Sequence, residues 1–558
     1  MKNNIIEDID KEIKDIFYSL VKVKSDTGTF YEKNMEPFFM SYFGNLDYFK
    51  KNPENYGKYE ISGDPLNRSV IWAMVKGQGD NTIVFMNHYD VVDIEDFKTL
   101  ADYAYSPLEL EQQLFKIKED LHKEAKEDLE SGDYIFGRGT ADMKAGAAIQ
   151  MALLKRYSQI EGFKGNILFI SVPDEENISA GMRSAILLMD ELKKKHDLNY
   201  IITINSEPHQ RTKKDTGVFS EGSVGKIMPF VYVRGFLSHI GKVFEGFNPV
   251  GLLSRIISNT ELNLGLSDFI EGEASPPPTW LRIRDSKNHY DVSMPLSASA
   301  YISVQTLNKD PITVLEDIKF ICIQSFLEII NEMNEKYKIF SQKTNKPFKP
   351  LPWDVKVVTY KELYDEAYEN HKDIFKQYYD NKLNEIKNKI ISGEKSIVDS
   401  NFELVEGIFD YIDDLSPKVV IGFAPPYYPN VSNINIKNLD KNIRNLSNKL
   451  MNFAEENFNQ KYEKENFFTG ISDLSYTYIE NSREIIENLE GNMPFYGSIY
   501  SIPLDIIEKL SMPCMNIGPW GKDFHKLTER VLKEDLFNQT PRILNHAVSL
   551  LLKWSEAQ

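Results

Sequence analysis

The chain predicts an α/β fold: a mostly parallel central sheet flanked by helices, with a smaller α+β domain inserted into it. Three observations carry this. Short apolar or β-branched runs alternate with stretches of helical periodicity through the first third of the chain. That alternation breaks near residue 220, and a strand–loop–helix pattern returns at the end. Finally, 558 residues exceed the ~100–200 usual for one domain.

In order, residues 5–23 place Ile9, Ile13, Ile16, Phe17 and Leu20 at helical spacing, an amphipathic helix. Residues 69–75, 82–87, 166–172 and 200–205 read as strands bounded by Gly, Asp or Asn, while 144–157 and 180–194 read as helices. Strands alternating with helices favour a parallel sheet covered on both faces. Residues 108–130 are rich in Lys and Glu and read as a charged helical excursion on the surface. Strand candidates at 226–233 and 297–304 and helix candidates at 249–260 and 311–336 form the inserted layer. Three prolines within 341–352 suggest its end. The expected boundaries are therefore 1–217, 218–345 for the insertion, and 346–558.

Composition narrows the function. A net charge of −18 gives no basic surface for nucleic acid or an anionic membrane, and no window approaches the ~18 apolar residues of a membrane span. The 29 tyrosines are dispersed rather than interleaved with basic residues, unlike a nucleic-acid stacking platform. Two cysteines, Cys322 and Cys514, exclude a disulfide scaffold, and neither has a base nearby in sequence. The acidic N-terminal stretch lacks a signal peptide's apolar run, which leads to a cytoplasmic expectation.

Five acid or histidine clusters follow predicted strands or precede a helix, where α/β sheets place ligands. They are Asn87-His88-Tyr89-Asp90, the glycine-rich turn ending in Asp142, Pro173-Asp174-Glu175-Glu176, Asn205-Ser206-Glu207-Pro208, and a late run from Gly518 to His525. Singly, each has a plain explanation: a strand-end histidine, a helix N-cap, a solvated acidic turn. Jointly they place two imidazoles and several carboxylates where they can converge. So much buried negative charge is costly without cations, and these donors suit Zn²⁺, Mn²⁺ or Co²⁺.

The set HYD, GRGTADMKAG, PDEE, NSEP and GKDFHKLTERV resembles the zinc-dependent metallopeptidase clan of aminoacylases, bacterial glutamate carboxypeptidases and dinuclear dipeptidases. Order and spacing fit; only the first interval is long, and the charged excursion accounts for it. Tyr427-Tyr428-Pro429 and the 471–476 block ISDLSY are most similar to its RocB-like branch, named for arginine utilisation. The resemblance implies a catalytic domain with an inserted lid of the dimerisation type, and two divalent metal ions, zinc first and Mn or Co as alternatives. By motif position, Asp142 would bridge the ions, His88 and Glu207 would complete one ligand set, and Glu176 and His525 the other. Asp90 would orient His88, and Glu175 would be general base toward a metal-bridging water. Ser238-His239-Ile240-Gly241 resembles the lid motif, which gives His239 the oxyanion and Asn248 a substrate contact.

The expected reaction is hydrolysis of an amide or peptide bond in a small molecule or short peptide, with no nucleic-acid or membrane partner and a homodimer through the lid as one arrangement. In the families it resembles, glutamate at the NSEP position goes with deacylases and carboxypeptidases, so the resemblance implies N-acyl amino acids or C-terminal residues. Where carboxylate-binding relatives often carry arginine, this chain has Gln305 and Thr306, with Arg282 and Arg284 as substitutes. Arginine-related amides follow from the branch. An aminopeptidase or dipeptidase with the same site, and a metal-binding sensor without turnover, stay open. His209 reads as a bystander, and His122 as a surface or packing residue.

Overall fold

The computed structural model describes residues 5–554, which divide into two compact units. The first gathers the chain up to Val224, Val431–Glu480, and the chain from Asp505 onward. Its eight-stranded sheet runs, edge to edge, Tyr56–Glu60, Ser69–Lys76, Lys164–Val172, Gln78–His88, Asn199–Asn205, Cys514–Asn516, Thr216–Ser220, Lys461–Glu465. The four strands from Lys164–Val172 to Cys514–Asn516 are mutually parallel, whereas Ser69–Lys76 runs antiparallel to both its neighbours, Tyr56–Glu60 and Lys164–Val172. Parallel strands buried on both faces read as continuous apolar runs. Here Ile83, Phe85, Ile167, Phe169, Ile202 and Ile204 pack with the Ile9–Lys22 helix and the Ala-rich Lys144–Tyr157 helix in one core.

The excursion forms two helices, Pro107–Lys116 and Lys123–Ser131. It is less detached than its charge suggested. Leu110, Leu114 and Leu129 are buried in a separate cluster with Val91, Phe136 and Trp520. These three leucines face inward and seat it, although Leu108 and Phe115 stay exposed.

The second unit is Gly225–Asn430 with Asn481–Leu504, larger than the 218–345 expected. The boundary at 345/346 is corrected by strand pairing. Lys418–Tyr428 lies antiparallel beside Gly225–Arg234, and Val357–Thr359 pairs parallel with Lys418–Tyr428. Together with Thr279–Asp285 and Ser297–Thr306 they make a five-stranded sheet. Helices Tyr360–Ile391 and Ile397–Phe409 share a core with Phe230, Tyr232 and Val420 of that sheet. The proline-bearing segment that read as a boundary is thus a connection inside this unit: Leu351 donates to Asn334 Oδ1 at 2.8 Å. Among the described residues no helix is long and apolar enough to cross a membrane.

Candidate metal centre

In the first unit the parallel strands end on one side, and their ends carry the site. His88 is the last residue of its strand, Glu175 and Glu176 follow Val172 by a short turn, and Glu207 lies two residues past Asn205. Asp142 enters from the turn before the Lys144–Tyr157 helix. His525 comes from the loop between short strands Gly521–Lys522 and Arg530–Leu532.

These six side chains converge. His88 Nε2 lies 3.1 Å from Asp142 Oδ1 and 3.3 Å from Glu207 Oε1. His525 Nε2 lies 3.3 Å from Asp142 Oδ2 and 3.2 Å from Glu176 Oε1. Asp142 therefore turns one oxygen to each imidazole. Glu175 joins His88 and Glu176 in a third group whose donor atoms all lie within 4.8 Å of one another.

The donor set fits divalent ions on two physical grounds. Donors bound about 2.0–2.1 Å from one tetrahedral ion stand about 3.4 Å apart, close to the spacings found in both triads. The second ground is charge. His88 Nδ1 donates to the Asp90 carbonyl at 3.0 Å, which turns Nε2 to two carboxylate oxygens. Against the pull of burial, Glu207, Asp142 and Asp90 raise the ring well above its ordinary pKa, so without an ion a proton sits between them. A divalent ion would take the place of that proton among the same donors.

Proton affinities show the same surplus of negative charge. Burial, with Asp473 and its carboxylate neighbours, pushes Glu175 well above the ordinary range despite the opposing His88. Burial likewise raises Glu176, and lifts Glu207 to about 7. For Asp142 burial pulls upward, but hydrogen bonds from His525 and His88 outweigh it and hold the carboxyl low. Hydrogen bonds to Asp142 and Glu176 lift His525 to about 10. The cluster shares too few protons among too many carboxylates, the condition that bound cations relieve.

Supporting contacts fix each loop. Asp90 was expected to orient His88; its carbonyl makes the shorter contact to Nδ1, at 3.0 Å, and its carboxylate stands 3.6 Å away. Its two carboxylate oxygens instead accept the amides of Glu175 and Glu176, each at 3.2 Å. Behind that turn, buried Arg68 donates to Asp174 Oδ1 and Glu32 Oε1, both at 2.7 Å, and pairs with Asp64 at 2.7 Å. Glu32 also accepts the Asp174 amide at 3.0 Å. The Asp142 turn is held by Glu529, which accepts the amides of Ala141 (3.0 Å) and Asp142 (3.3 Å) and pairs with buried Arg138 at 2.7 Å. Gly139 takes φ +72° there, and a Cβ would stand 2.6 Å from Val91 Cγ1. Asp473, in the ISDLSY block, is buried with neither oxygen hydrogen-bonded among the described residues; burial, with Glu207 and Asp90, lifts it to about 8 against His88.

Arg68, Glu32, Glu529 and Asp473 were not singled out from sequence. For Glu529 the signal was present, since it belongs to the TERV end of a motif; for Arg68 and Glu32 there was none. His209 lies outside the donor groups, as the bystander reading has it. Its Nδ1 donates to the Gly518 carbonyl at 2.9 Å and its Nε2 accepts from Arg211 at 3.1 Å. The remaining expected residues belong to the second unit. His239 is exposed, with Nδ1 accepting the Gly241 amide at 3.1 Å. Asn248 caps the Pro249–Thr260 helix. Arg282 pairs with Asp399, and both Arg282 and Arg284 line an open cleft with Ser297, Ser299 and Glu403.

A catalytic-type α/β sheet with a carboxylate–imidazole cluster at its strand ends marks a metallohydrolase. The sequence pattern of Peptidase family M20/M25/M40 matches residues 84–536, and the chain belongs to that family. It is 32% identical to YqjN of Bacillus subtilis (strain 168) over 98% of this chain and 97% of that protein. To Protein RocB of the same organism it is 28% identical, over 96% and 94%. The fold resembles that of a Staphylococcus aureus tripeptidase, with a TM-score of 0.52 at 12% identity, over 98% and 99% of the two chains.

Proposed function

We propose that the protein hydrolyses an amide or peptide bond of a small substrate (an N-acyl amino acid, a C-terminal residue or an arginine-related amide) with two divalent ions, zinc first among them. The observation that carries this is Asp142, whose two oxygens each meet a different imidazole and so join two donor triads into one site. Ions bound there supply Lewis acidity toward a carbonyl oxygen and lower the pKa of water.

The chain's own residues do the rest. Glu175, desolvated and raised, takes a proton from the attacking water and returns it to the leaving nitrogen. Asp90 fixes the direction of that carboxylate by holding the two amides of its turn. Glu207 at this position supports a deacylase or carboxypeptidase reading. For His239, a role as oxyanion donor rests on the resemblance of the SHIG motif.

The test is a hydrolysis panel read by mass spectrometry, with Zn²⁺-, Mn²⁺- or Co²⁺-loaded protein and a chelated control. Chelator-sensitive cleavage of one substrate class is expected. Glu175→Gln should keep its metal and lose about 10²–10⁴ in kcat. A fully active Glu175→Gln, or cleavage indifferent to chelation, overturns the assignment.

A further inference from the structure

We propose that the excursion carrying helices Pro107–Lys116 and Lys123–Ser131 is a clamp on the His525 loop, with Asp128 and His122 as positioning residues for that ligand. The inference rests on reading the cluster as a metal centre. It gives a purpose to the segment that lengthens the first interval between the family motifs.

His525 differs from the other donors. It is half-exposed, whereas His88 is 1% exposed by its side chain, and it stands at φ +63° in a loop where Asp523 also has φ +54°. No strand end fixes it. A ligand on such a loop must surrender its conformational freedom when a metal binds, unless something has already removed it.

The excursion supplies that restraint at three points. Asp128 Oδ2 accepts Arg530 Nε at 2.7 Å and Lys522 Nζ at 2.8 Å, so one carboxylate ties both ends of the loop. Glu124 adds a second contact to Lys522 at 2.9 Å. Nearer the ligand, His122 Nε2 lies 2.7 Å from Asp523 Oδ2, which also accepts Thr528 Oγ1 at 2.8 Å and pairs with Arg530. Asp523 is two residues from His525. The strand Tyr134–Phe136, which follows the excursion directly, completes a three-stranded sheet with the two loop strands.

The charges of the excursion thus divide into two sets. Lys118–Glu130 and Lys126–Glu119 face outward and are solvent-screened, as surface pairs usually are. Asp128 pairs instead with fully buried Arg530. None of these contacts reaches His88 or Glu207.

Calorimetric titration of Zn²⁺ into metal-free protein tests the idea. Wild type should bind two ions. In Asp128→Asn, and in His122→Ala on the more exposed residue, one binding step should weaken by roughly 10-fold, the lower end for lost outer partners of a metal ligand. The other step should be unchanged, and Asp128→Glu should recover part of the loss. Two intact steps in folded variants, or equal weakening of both, overturn the clamp and leave the metal centre standing. If Asp128→Asn lowers the metal-free Tm so far that it does not fold, His122→Ala decides alone. Wild type that binds fewer than two ions overturns the metal centre itself, and the clamp with it.

Discussion

The two halves of the cluster are built by different means. His88 ends its strand and Glu207 lies two residues past the end of the adjacent parallel strand, both nearly fully buried. The sheet ladder fixes His88, and Asn516 Nδ2 donates to the Glu207 carbonyl at 2.8 Å. Glu176 and His525 come from a turn and a half-exposed loop, and each depends on a layer of charged partners: Arg68 and Asp90 for one, Asp523, Arg530 and the excursion for the other. Geometry that a sheet gives without further cost must be supplied by buried ion pairs where the backbone is irregular. The second half is therefore where single substitutions away from the donors should be felt.

The largest effect tests whether the halves are joined at all. Asp142→Ala removes the carboxylate that serves both imidazoles, so metal analysis should find the metal-to-protein ratio falling from about two to below one, with activity lost. If one ion remained at full affinity, Asp142 would belong to one half only. Arg68→Met is next. It leaves the buried carboxylates of Glu32, Asp64 and Asp174 without their cation, a loss of about 3–5 kcal/mol for removing one partner of a buried pair. Thermal unfolding should show it as a lower Tm. At limiting metal, occupancy of the Glu176–His525 half should fall before that of the His88–Glu207 half; equal losses would blur the distinction.

What could be read in the sequence follows the same division. Donors at strand ends were legible because a β-branched run followed by His or Glu marks both the element and its end, and all six cluster residues were named from their motifs. The second layer was not. Arg68 and Glu32 meet Asp174 only through tertiary folding, across separations that no periodicity records, and both precede residues 84–536. The domain boundary was misplaced for a related reason. Prolines at 347, 350 and 352 signal a break in regular structure, but the pairing of Lys418–Tyr428 with Gly225–Arg234 is a long-range choice made by the whole sheet. The charged excursion misled by composition, since its three buried leucines are outnumbered by solvated charges.

The smallest expected effect concerns how the Glu207 segment is held beside the chain that leads to His525. His209 is buried and doubly engaged, donating to the Gly518 carbonyl and accepting from Arg211, a pattern that only the neutral ring can satisfy. Burial first, and then the neighbouring Arg211 charge, hold its pKa down to about 3. The sign follows from which state binds the proton. Unfolded protein takes it up below the ordinary value of 6.5, while folded protein does not until about 3. This contribution is thus fully present above 6.5 and is lost as pH falls toward 3, by on the order of 2–3 kcal/mol between pH 6.5 and 4.5. Glutamine can keep both hydrogen bonds without titrating. Tm measured against pH on metal-free protein should therefore fall less steeply for His209→Gln than for wild type in that window, whatever the small offset at neutral pH. Parallel curves would mean that His209 is charged in the folded protein, and that the strand-end half also relies on ion pairing.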